Sequence, residues 1–196
     1  MAGFGAIAAV GKSIETVLNA GYAVAQPTSS GPTVARLVQT DDLAQPDQKI
    51  QRPGLSLLLY RVDFSKTMRA TWADVGARDG RSHLPLDLHY LLTAWALNAE
   101  DEHRVVGRTM QILERLGGLS GAQLLPEGDW SVGESVQLHL EDMPTDNLMR
   151  TFDSLRCDFR LSVPYIARVV VVSTDDGAAG PDVVTAARGV RVGSAP

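Results

Sequence analysis

Leu84-Pro85-Leu86-Asp87-Leu88-His89-Tyr90-Leu91-Leu92-Thr93-Ala94-Trp95-Ala96 is the stretch whose reading decides the fold. Leu84, Leu86, Leu88, Tyr90 and Leu92 fall on one side of an extended chain, and Asp87, His89, Leu91, Thr93 and Trp95 on the other. Alternation that turns apolar on both sides marks a strand in the middle of a sheet. The acidic run Asn98-Ala99-Glu100-Asp101-Glu102 follows, placed where a helix N-terminus favours negative charge. Val106, Met110, Leu113 and Gly117 then form a helical stripe, widened by Val105, Ile112 and Leu116. Gly117-Gly118 stops it. The unit reads as strand, short loop, amphipathic helix.

Outward from this unit, Ile7, Val10, Ile14, Val17 and Leu18 predict a first helix over 5–19, ended near Asn19-Ala20-Gly21. Val34 to Val38 predicts a short strand, and Thr40 to Pro53 a polar connection. Leu55 to Phe64 predicts a strand with Leu57, Leu59, Arg61 and Asp63 on one side and Leu58, Tyr60, Val62 and Phe64 on the other. Ser65 to Ser82 reads as a long loop or hairpin extension. Val136 to Leu140 alternates as a half-exposed strand, and Pro144-Thr145-Asp146 opens a helix to about Leu155. Leu161 to Val172 is the last long strand, with Pro164 suggesting an edge or a bulge. The fold class is α+β: a mixed, mainly antiparallel sheet with helices packed on one face, over residues 1–173, followed by a C-terminal tail or arm over 174–196.

Composition narrows the function. The chain has 196 residues, 44% hydrophobic and 21% charged, and a net charge of −5, so it lacks the basic excess of an electrostatic nucleic-acid binder. Its single cysteine, Cys157, excludes an internal disulfide and fits a reducing site of synthesis. No segment approaches the ~20 apolar residues of a membrane span. Met1 to Leu18 lacks a basic n-region and does not read as a signal peptide. No nucleic acid and no membrane partner is expected.

The candidate chemistry is thin. Ala6-x4-Gly11-Lys12-Ser13 fits a loose phosphate-loop pattern, but its intervening residues form a helical stripe and no strand precedes it. His83, His89, His103 and His139 show no metal-ligand spacing. His89 and Asp87 share a strand face, which His139 joins if its strand lies nearby; a small enzyme or ligand-binding domain using the His89/Asp87/His139 face is the alternative reading. A polar strand face packed against a neighbour explains the same residues more simply. Cys157 reads as a structural thiol, and Glu100-Asp101-Glu102 as a helix cap. No catalytic, cofactor-binding or metal residue is nominated, and no cofactor is expected.

Leu88-His89-Tyr90-Leu91-Leu92-Thr93-Ala94-Trp95, the acidic linker, and Val106-Gly107-Arg108-Thr109-Met110-Gln111-Ile112-Leu113 together resemble the signature of tail-terminator (cap) proteins of phage-tail-like contractile injection systems, of the antifeeding-prophage type. Leu58-Leu59-Tyr60-Arg61-Val62, Leu161-Ser162-Val163-Pro164-Tyr165 and Val169-Val170-Val171 extend the resemblance over roughly residues 5–173. It implies a terminator-like sheet with flanking helices and no catalysis. It further implies a homo-hexameric ring on the last inner-tube and sheath layers that ends their polymerisation. Assembly would be cytoplasmic, and the particle would be released outside the cell or kept within it. The arm, with Val183, Val184, Val190 and Val192 near its end, is expected to order on a neighbour by adding a strand.

Overall fold

The computed structural model describes residues 2–155 and 157–173, so the arm expected over 174–196 lies outside the described residues. The elements run α1 (Ala6–Val24), β1 (Val34–Val38), α2 (Thr40–Ala44), α3 (Pro46–Lys49), β2 (Gly54–Phe64), α4 (Arg69–Asp79), β3 (His83–Trp95), α5 (Ala99–Leu116), β4 (Gly118–Ser120), β5 (Ser135–Leu140), α6 (Thr145–Ser154) and β6 (Ser162–Ser173). One six-stranded sheet has the order β1-β2-β3-β6-β5-β4. The β1–β2 pair is parallel and the other pairs are antiparallel. The α+β class is therefore the observed one.

β3 is the spine, with β2 along one side and β6 along the other. Every residue from Pro85 to Trp95 is buried. Leu86, Leu88, Tyr90, Leu92 and Ala94 join the larger core, formed with Val10, Ile14 and Leu18 of α1 and Val105 and Leu113 of α5. Leu91 and Trp95 point to the opposite face. There Val38, Leu43, Ile50, Leu58, Phe152 and Leu155 make a smaller core. The two long helices share one face of the sheet, and short α2 and α6 cover one end of the other. Polar groups inside the sheet are paired across it: Trp95 Nε1 donates to Ser56 Oγ at 2.8 Å, and the Thr93 and Ser162 hydroxyls meet at 2.8 Å.

α5 starts and stops as its sequence predicts. Asn98 accepts from the Asp101 amide, and Gly117 closes the helix at φ 66°. α1 runs past the expected stop to Val24. Gly21 lies under Ile112 of α5, where a Cβ would come within 2.6 Å of its side chain, so this glycine serves a close helix crossing. Just beyond it, buried Tyr22 hydrogen-bonds Thr109 of α5. The polar connection after β1 contains α2 and α3. The expected loop 65–82 is largely α4, whose sequence has little amphipathic signal. Tertiary anchors hold it: Trp72 meets His83 in a tilted ring contact with centroids 5.4 Å apart, and Arg69 lies over Phe64 at 5.1 Å.

β6 is an inner strand, not an edge. Pro164 is tolerated because the β5 ladder ends at Leu140↔Tyr165, and its carbonyl still accepts from the Glu141 amide. The true edge at β1 is blunted by α1. Asn19 bonds both the amide and the carbonyl of Ala35, and Glu15 takes the Leu37 amide. The phosphate-loop pattern is ordinary helix: Lys12 pairs with Glu15, buried Ser13 accepts from the Leu125 amide, and Gly11 faces Leu37 and Tyr90.

Leu88→Ala and Leu113→Ala should each cost about 2–5 kcal/mol in urea titrations, as truncations of fully buried side chains. Alkaline stability offers a second check. Burial pushes the Tyr22 phenol up to about 12 from 10.0, with Tyr90, Tyr60 and Tyr165 also raised. The fold thus favours the neutral phenol, and the unfolded chain ionises first. Stability is full below pH 10 and falls between about pH 10 and 12. Tyr22→Phe should flatten that fall by up to roughly 2–3 kcal/mol.

Candidate functional site

On the sheet face opposite α1 and α5, the α2/α6 core covers one end and α4 stands at the other. Between them lies a polar saddle. Its residues come together through a bulge that strand alternation does not foresee. The β2–β3 register passes from Leu59↔Tyr90 to Arg61↔His89, so Tyr60 is an extra residue. Arg61 and Asp63 therefore turn onto the face of Leu58, not that of Leu57 and Leu59 as strict alternation predicts. A second shift, between Leu86↔Val170 and Leu88↔Ala167, places Arg168 beside Asp87.

Glu141 is the hub. Tyr60 Oη donates to its Oε2 at 2.8 Å. Its Oε1 lies 2.9 Å from His89 Nδ1 and 3.1 Å from Arg61 Nη2. A carboxylate can only accept, so Nδ1 is the donor in the contact with Glu141. His89 Nε2 then lies 3.3 Å from both Arg61 Nη2 and Asp63 Oδ2, and Arg61 Nε pairs with Asp63 Oδ2 at 3.0 Å. Burial, followed by the hydrogen bond to Glu141, drives the Tyr60 phenol well above its usual value. Both Glu141 oxygens are engaged. The network locks β2, β3 and the end of β5 together.

Asp87 behaves differently. It sits directly opposite Asp63 in the β2–β3 register and is 7% exposed. Its Oδ2 accepts from Arg168 at 3.0 Å, while its buried Oδ1 has no partner among the described residues. Of the residues singled out in sequence, His89 and Asp87 do share this face. His139 shares it too, but Ile166 of β6 lies between His139 and His89 in the register, so they stand two strand spacings, roughly 10 Å, apart. Among the described residues no group of three or more His, Cys, Asp or Glu side chains can hold a metal ion. Cys157 is half-buried, its thiol raised by burial. Glu141 escaped the sequence reading; its one signal was lying two residues beyond His139, on the same strand face.

The arrangement is a mixed six-stranded sheet with long helices on one face and a polar ion network on the other. Its fold is similar to that of the sheath/tube terminator of a PVC extracellular contractile injection system in the extended state. That structure is 20% identical and aligns over 95% of this chain with a TM-score of 0.56. The chain spans 63% of that protein's length. The anti-feeding prophage tube-terminating cap aligns over 69% of this chain and 48% of its own, at 17% identity and a TM-score of 0.43. No curated protein matches the sequence. Residues 9–186 match the family described as the Pvc16 N-terminal domain, and the chain belongs to it. The family resemblance read from the strand and helix motifs holds.

Glu141→Ala should lower stability by about 1–3 kcal/mol in urea titrations, because it strands Tyr60, His89 and Arg61 at once. His89→Ala should cost less than Leu88→Ala.

Proposed function

We propose that this chain is the core of a tail terminator, a structural protein that seats on the last inner-tube and sheath layers of a contractile injection system and ends their growth. The observation that carries this reading is membership of the Pvc16 N-terminal domain family over 9–186, supported by the shared fold. The working form is a homo-hexameric ring. Partners are the tube and sheath proteins, with no nucleic acid and no membrane. Assembly is cytoplasmic, before the particle acts outside the cell. No catalysis is involved: the terminator acts by offering a last surface on which no further subunit fits.

A closed ring requires two different faces on each copy. Exposed apolar side chains supply candidates at opposite ends of α1, which is roughly 28 Å long. Phe4, just before the helix, is 91% exposed, and Val24, its last residue, is 85% exposed. Removing the gene product should give tails of uncontrolled length, or no sheathed particles, in electron micrographs. Normal-length sheathed tails would overturn the reading. Native mass spectrometry with tube and sheath present should show six copies, and Phe4→Glu should reduce ring occupancy without lowering the melting temperature. Monomer alone under those conditions would count against the ring.

A further inference from the structure

α1 and α5 meet on one face of the sheet, and a groove of about 560 Å³ runs between their outer flanks. Ala20 and Val24 of α1 and Ile112 and Leu116 of α5 form its apolar walls, and Arg108 and Arg115 of α5 line it as well. No carboxylate lines it among the described residues. Arg108 is held in place: its Nη1 donates to Gln111 Oε1 at 2.7 Å and its Nη2 to the Gly21 carbonyl at 3.0 Å. Its buried Nε has no partner among the described residues. Neither Arg108 nor Arg115 forms an ion pair among the described residues. Arg108, Ile112 and Arg115 follow at intervals of four and three residues, so they share one side of α5 with the two charges roughly 10 Å apart. An apolar trough flanked by two guanidiniums without counter-charges fits an apolar side chain flanked by two carboxylates.

We propose that this groove takes α6 of a second copy of the chain, laid antiparallel to α5. On α6, Asp146, Met149 and Asp153 are exposed and share one side of the helix, at intervals of three and four residues. Met149 is 44% exposed, and neither aspartate is ion-paired among the described residues. Run antiparallel, the two patterns coincide: Asp153 meets Arg108, Met149 meets Ile112, and Asp146 meets Arg115. The same register sets Arg150 opposite Gln111 and Asn147 opposite Glu114, so no like charges face each other. α6 packs on the sheet face opposite α1 and α5, so a chain cannot dock its own α6 in its own groove. The contact joins two different surfaces head to tail, and every added copy brings a fresh groove and a fresh α6, as a ring requires. This inference rests on the ring reading and names the contact that closes the ring.

Charge reversal tests the contact, read by native mass spectrometry of the full chain with tube and sheath proteins present. R108E/R115E and D146R/D153R, each alone, should lower the six-copy population at least about tenfold, because every interface then sets like charges together. Mixed in equal amounts, the two variants should restore it, with three copies of each alternating around the ring. That recovery also shows that both variants fold. Undiminished rings from either variant alone, or a mixture that forms none, would overturn this contact and leave the ring reading standing. A wild type that forms no ring would overturn both.

Discussion

The structure depends on β3 being buried on both faces while paired on both sides. A strand in that position must place every backbone group in a ladder and every side chain in a core. The run Pro85–Trp95 meets both demands, including polar Asp87, His89 and Thr93, each of which finds a partner across a neighbouring strand. Each large side chain buried along it contributes about 1.5–3 kcal/mol. The helices follow from this: α1 and α5 cover Leu88, Tyr90 and Leu92, while α2 and α6 close over Leu91 and Trp95.

The uncovered middle of the second face is where the polar residues gather. The Tyr60 bulge turns Arg61 and Asp63 toward His89, and Glu141 reaches back from beyond β5 to close the network. The cost of holding these charges in a half-buried place is met by satisfying nearly all of them together. Among the described residues Asp87 Oδ1 is the exception within this network, and Asp87 lies at the register shift between β3 and β6.

The spine, α5 with its Asn98 and Gly117 caps, and the inner position of β3 were legible because local pattern and tertiary position agree there. Other parts were not. α4 has no apolar stripe and exists through Trp72 on His83. Gly21 reads as a helix stop, yet works as a contact point for Ile112. The Tyr60 bulge has no glycine or proline to announce it, and it decides which face Arg61 occupies. The His89–Asp87 pair was visible as period-two spacing. Glu141, which holds His89 with Tyr60 and Arg61, was not, because its role depends on a register between distant strands. His139 was grouped with them by parity alone, and parity does not count the strand that intervenes.

Locating the chain in the assembled particle tests the account most directly. A cryo-electron microscopy reconstruction of the particle's end, with this protein present, should show its six-stranded sheet as the final layer, contacting both the last tube ring and the last sheath ring. Density for it in the baseplate, along the shaft, or nowhere on the particle would contradict the account.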